Sequence, residues 1–125
     1  MESGAISDAQ ISASTTFSGA LAARCGRLHL QGGGCHGSWS VDIRDTNQWL
    51  QVDFANRFTT VTRVATQGRT VHNQWVTMYR LQYSNDGAEF QYYKEQRQTA
   101  IKVSSWHSLC FSSLLKQNCF LLEIN

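Results

Sequence analysis

Residues 75–84 alternate strictly along the chain, and the three residues that follow are Asn85, Asp86 and Gly87. Trp75, Thr77, Tyr79, Leu81 and Tyr83 fall on one side; Val76, Met78, Arg80 and Gln82 fall on the other. A period of two belongs to a pleated strand with one buried face. Asn-Asp-Gly supplies the positive-φ residues of a tight hairpin, so residues 90–93 read as the return strand. The same alternation recurs at 49–54, where Leu50, Val52 and Phe54 oppose Trp49, Gln51 and Asp53. Residues 59–66 are rich in Thr and Val, which favour pleated structure. Residues 6–14 alternate more loosely around Ile11. No segment before residue 103 carries a convincing helical period. The predicted fold class is all-β, a sandwich or barrel.

A chain of 125 residues has room for one such domain. With 42% hydrophobic and 16% charged residues it is too apolar and too weakly charged for a disordered chain. A net charge of +2 is too small for a dedicated nucleic-acid binder. Residues 1–14 lack the basic and continuous apolar segments of a signal peptide. The longest apolar-rich region, residues 109–122, is interrupted by Lys116, Gln117 and Asn118 and is too short to span a bilayer. Residues 15–26, 31–37, 40–48 and 68–74 read as long loops, where a sheet protein carries its binding function.

Composition changes after Val103. Residues 104–125 hold one Lys and one Glu among many Leu, Phe and Cys. Cys110, Phe111, Leu114, Leu115, Cys119 and Leu122 lie near helical spacing. Two readings stand: a short amphipathic C-terminal helix, or a tail foreign to the domain.

Four stretches together carry a family resemblance. They are residues 1–14 (MESGAISDAQISAS), 47–54 (NQWLQVDF), 61–69 (VTRVATQGR), and 75–87, from Trp75-Val76-Thr77 through LQYSNDG. In this order and spacing they resemble the discoidin domain, also called the coagulation factor 5/8 type C domain. The resemblance implies a discoidin-like β-sandwich, or distorted jelly-roll barrel, whose loops at one end form ligand-binding spikes. It implies an extracellular or cell-surface setting and a non-enzymatic role in adhesion or ligand binding. Glycans, proteins and anionic phospholipid surfaces are the ligand classes it brings. Two alternatives are a carbohydrate-targeting module cut from a larger enzyme and a non-functional fragment of an incomplete gene model.

Carried onto this sequence, the spikes fall at residues 14–27, 40–47 and 67–75. The expected ligand-binding residues are Phe17, Ser18, Leu21 and Arg24 in the first, Ile43 and Arg44 in the second, and Arg69, Val71 and His72 in the third. Full burial of one such apolar tip contributes about 1.5–3 kcal/mol, and a basic residue near an anionic membrane adds about 1 kcal/mol. Two tips therefore reach only weak affinity, and glycan or protein ligands together rank ahead of phospholipid. Trp39, Trp49 and Trp75 are expected in or under the core.

The pattern departs from the family at both ends. The family's closing disulfide joins a cysteine before the first motif to one after the last strand, and neither lies in place here. The expected closing strands are also missing, and their usual proline with them; the chain has no proline at all. The expectation is a partial domain over residues 1–103, incomplete at the C-terminus, followed by a non-family apolar tail over 104–125.

Cys25 and Cys35 flank a glycine-rich stretch, with His29 and His36 nearby. Neither cysteine is one of the family's usual ones. A Cys25–Cys35 disulfide ranks first in an oxidising compartment, two free thiols second and a metal site last. Asp42, Asp45 and Asp53 are too dispersed to predict a calcium site, although some family members hold calcium. Gly32-Gly33-Gly34 lacks the Lys-Ser/Thr of a phosphate loop, and no catalytic motif occurs. No cofactor and no enzyme activity are expected.

Overall fold

The computed structural model describes residues 3–55, 59–69, 72–93, 101–102, 107–117 and 119–124, and side chains are described for residues 3–55, 59–61, 64–69 and 72–93. The strands are β1 (Ile11–Ala13), β2 (Gln48–Asp53), β3 (Thr59–Thr66), β4 (Met78–Ser84), β5 (Gln91–Tyr92), β6 (Ile101–Lys102), β7 (His107–Gln117) and β8 (Cys119–Ile124). All described pairings are antiparallel. One sheet runs β1-β2-β8-β4-β5, with β6 also on β4; the second pairs β3 with β7. This is an all-β sandwich in an open arrangement, as the resemblance implies.

The predicted alternation of β4 is what builds the core. Tyr79 and Leu81 are buried inward, while Met78, Arg80 and Gln82 are at least partly accessible. Tyr93 joins them beyond the hairpin, its N–H donating to the Leu81 carbonyl at 2.8 Å. Val61 and Val64 of β3 pack against this cluster, with Phe54, Val76 and Tyr83, and so bring the second sheet onto the first. Burial pushes the Tyr79 phenol pKa up.

The C-terminal segment corrects the helical reading. Residues 107–117 and 119–124 form β7 and β8. β8 lies between β2 and β4, with Leu122 opposite Leu50 on one side and Leu81 on the other. The physical reason is local ambiguity resolved by pairing. A short run such as Cys119-Phe120-Leu121-Leu122 suits a buried strand as well as a helix turn. Here two strand edges flank it, and their N–H and C=O groups need partners.

The register also sorts the connections. Gln48 and Tyr79 both pair with Ile124, so β2 and β4 start at the same end of the sheet. Ala13, the last residue of β1, pairs with Leu50 near that end. The long connections 14–47 and 67–77 therefore meet at one end. At the other, Asp53 and Ser84 both pair with Cys119, and the β4–β5 hairpin lies there.

Candidate functional site

The loop end is a laced surface whose backbone is held while a few large side chains stand out. Gln48 anchors its base. It is 3% exposed, and its side-chain oxygen accepts from the hydroxyls of Ser14 (2.7 Å) and Thr15. Its amide nitrogen donates to Asp45 at 2.7 Å. A buried amide is tolerated when its donors and acceptors are used in this way. The Gln48 amide, and then the Asn47 N–H, hold the Asp45 carboxyl below its ordinary pKa.

The first and second loops are tied to each other. Phe17 N–H donates to Ser40 O at 2.9 Å, Ser40 N–H to Leu21 O at 3.1 Å, and His36 N–H to Ala20 O at 2.9 Å. The Trp39 indole donates to Thr15 O at 2.9 Å. Cys25 and Cys35 are bonded, with their sulfurs 2.07 Å apart, and cross-link the two halves of this region. Arg27 is nearly buried and ion-paired to Asp8 at 2.7 Å, fastening the first loop to the segment before β1.

These constraints decide where each expected residue sits. Phe17 is 65% exposed and Ile43 53% exposed. Ser18, Arg44 and His72 are also exposed. Leu21 is different: it closes a short 3-10 turn (Gly19–Leu21) and is 5% exposed, so it packs inward instead of forming a tip. Arg24 is half-buried, with its guanidinium turned to the two sulfurs and the Gly19 carbonyl. Val71 lies outside the described residues.

The third loop presents what the period-two pattern concealed. Trp75 was expected inside as the start of a strand, yet β4 begins at Met78 and Trp75 is 50% exposed. Its position is set by close backbone approach: a Cβ on Gly68 would lie 3.3 Å from both Trp75 Cβ and Gln74 O. Arg69 N–H donates to Gln74 O at 2.8 Å, and Arg69 Nη1 to Gln74 Oε1 at 2.9 Å. Gln74 N–H donates to His72 O at 2.7 Å. No local signal marks Trp75 as exposed, because the alternation runs unbroken through residues 75–77 into β4. Trp39 and Trp49 are half-buried. The third loop also meets the segment just after the first, through His29 N–H donating to Gln67 Oε1 at 3.0 Å.

Chemically, the loop end offers an exposed indole and two exposed apolar tips, with guanidinium, imidazole and amide groups beside them. This is the composition of a recognition surface: apolar platforms with a few fixed polar groups. Among the described residues, no three His, Cys, Asp or Glu side chains converge to hold a metal ion. No helix among them is long and apolar enough to cross a membrane.

Comparison with known proteins agrees with this reading of the fold. The F5/8 type C domain family model matches residues 10–110. Retinoschisin of Takifugu rubripes is 38% identical over 102 residues, covering 76% of this chain and 35% of that protein. The chain thus spans about a third of the length of that relative. Among solved structures, wild-type discoidin II of Dictyostelium discoideum superposes with a TM-score of 0.80 at 21% identity, covering 92% of this chain and 48% of that one. CpGH89CBM32-5 of Clostridium perfringens, solved in complex with GalNAc-β-1,3-galactose, gives a TM-score of 0.71 at 16% identity over 98% of this chain and 86% of that one. The chain belongs to the F5/8 type C, or discoidin, domain family.

Proposed function

We propose that this F5/8 type C domain is a non-catalytic extracellular module that recognises glycans with its loop end. The observation that carries the reading is Trp75, half exposed on a loop held by Gly68 and by the Arg69–Gln74 hydrogen bonds. A flat indole can cover the apolar face of a sugar ring, while adjacent amide, imidazole and guanidinium groups meet its hydroxyls. The glycan carried by CpGH89CBM32-5 makes a galactose-containing disaccharide the natural first probe. A Cys25–Cys35 bond fits an oxidising compartment.

The test is titration of the protein with GalNAc-β-1,3-galactose, read by isothermal calorimetry and by tryptophan fluorescence. Saturable binding that is lost in Trp75→Ala supports the reading. Equal binding by parent and variant removes Trp75 from the site.

A second reading has its own observation. Phe17 and Ile43 are both more exposed than Trp75, with Arg44 beside Ile43. They suit shallow insertion into an anionic lipid surface. Burial of one such side chain contributes about 1.5–3 kcal/mol, so two tips and a base give weak capture that tandem copies would reinforce. Sedimentation with phosphatidylserine vesicles separates the two readings: vesicle binding lost in Phe17→Ala but retained in Trp75→Ala favours lipid.

A further inference from the structure

The disulfide at the loop end has an unusual companion. Arg24 Nη1 lies 2.9 Å from Cys35 Sγ and 3.4 Å from Cys25 Sγ, and Nη2 donates to Gly19 O at 3.3 Å. Among the described residues the ion pair is Arg27 with Asp8, so no carboxylate there neutralises Arg24. His36 follows Cys35 in the chain and is exposed, which leaves the guanidinium as the fixed charge at the sulfurs.

We propose that Cys25–Cys35 is a reducible latch, primed by Arg24, which sets the rigidity of the first loop. A cation at hydrogen-bond distance stabilises a thiolate over a thiol. In disulfide exchange the departing sulfur leaves as a thiolate, and it leaves faster when its pKa is lower. Arg24 reaches both sulfurs, so it assists whichever one departs.

The steps balance with a dithiol reductant as the electron donor. Its thiolate attacks Cys35 Sγ, which belongs to the less buried of the two residues (7% exposed against 0% for Cys25) and follows three exposed glycines. The Cys25–Cys35 bond breaks and Cys25 leaves as a thiolate beside Arg24. The reductant's second thiolate then attacks its own sulfur in the mixed disulfide and releases Cys35 as a thiolate, also beside Arg24. Two electrons pass to the protein, the reductant ends as a disulfide, and the two cysteine thiolates equilibrate with two protons from solvent.

The mechanical consequence follows from what the bond joins. Cys25 lies in a 3-10 turn (Ala23–Gly26) of the first loop. Cys35 closes the glycine turn, with its N–H on Gly32 O, and the next N–H, of His36, reaches back to Ala20 O. Opening the bond leaves Gly32, Gly33 and Gly34 with their left-handed freedom and no covalent tether. Phe17 then stands on a looser support, while Trp75 on the third loop keeps its own. The latch therefore does not depend on which ligand the loop end takes.

The test uses the full chain. Parent, Arg24→Gln and Arg24→Lys proteins are exposed to dithiothreitol at neutral pH, quenched with an alkylating agent and read by peptide mass at Cys25 and Cys35. The parent is expected to open faster than Arg24→Gln by on the order of tenfold, with Arg24→Lys between them. Equal or faster opening of Arg24→Gln overturns the priming role. Should Arg24→Gln not fold, the Lys variant and a second measurement decide. In the reduced parent, Cys35 should alkylate several-fold faster at pH 6.5 than a cysteine in a short peptide; an equal or slower rate overturns the claim. For the latch itself, reduction should raise amide hydrogen exchange at His36 and leave Ser14, bonded to Trp49 O, unchanged. Unchanged exchange at His36 overturns it.

Discussion

The two ends of the sandwich use similar residue types for different purposes. At the turn end, Ser84 Oγ donates to Asp86 Oδ1 at 2.8 Å and accepts from Gly87 N–H at 2.9 Å. Asp86 Oδ1 also accepts the N–H groups of Ala88 (2.9 Å) and Glu89 (3.0 Å), and these bonds hold the carboxyl at a pKa of about 2. The shallow cleft there, lined by Tyr83, Ser84, Asn85, Asp86, Glu89 and Gln91, is polar, and its central groups are spent on their own turn. At the loop end, side-chain bonds among Gln48, Ser14 and Thr15 and the cross-loop backbone bonds hold the chain, while Phe17, Ile43 and Trp75 face solvent. The same fold thus closes one end upon itself and keeps the other available. A polar cleft is a poor guide to function when its polar atoms already have partners.

The largest test of this contrast is Leu21→Ala against Phe17→Ala. The two residues share a loop and both were expected at its tip. Leu21 is buried, so its truncation should cost about 2–5 kcal/mol in urea unfolding. Phe17→Ala should leave the unfolding midpoint nearly unchanged, because its ring is mostly in solvent. Equal stability of the two variants would break the distinction between tip and support.

Next in size is the binding effect of Trp75→Ala. It should weaken glycan capture by about tenfold or more, the scale of one anchor residue at a recognition surface, about 1.4 kcal/mol. Asp86→Asn, at the other end, should leave capture as it was. A loss of binding in Asp86→Asn with none in Trp75→Ala would reverse the assignment of the two ends.

The smallest effect concerns pH at the turn end. The Asp86 carboxyl is depressed from 3.8 to about 2 in the folded chain. Its contribution is thus fully present above the unfolded value and is lost as pH falls from about 4 towards 2. Thermal unfolding followed through that window should show a shallower decline in Asp86→Asn than in the parent. Matching declines would mean that the turn draws no stability from the ionised carboxylate.

Much of the frame was legible because alternation in β2 and β4 matches a one-sided sheet, the Thr and Val content of β3 favours pleated structure, and Asn-Asp-Gly announces its turn. Other features depended on information that period alone does not hold. Trp75 continues the period-two pattern of β4, but the pattern extends three residues past the strand. Leu21 and Arg24 sit in 3-10 turns too short to carry any period, so their directions came from the cross-link and from hydrogen bonds between loops. Residues 119–124 have an apolar content that suits either regular structure, and the choice came from the neighbours on both sides. Among the candidate site residues, Phe17, Ser18, Ile43, Arg44 and His72 are exposed on the loops where the family pattern put them.

The most direct measurement is an amide chemical-shift map during titration with GalNAc-β-1,3-galactose. Shifts should concentrate at residues 67–69 and 72–77 and at the Trp75 indole, with smaller ones in the first loop. Shifts confined to residues 84–91 would contradict this placement, as would a saturating ligand that leaves the Trp75 indole unmoved.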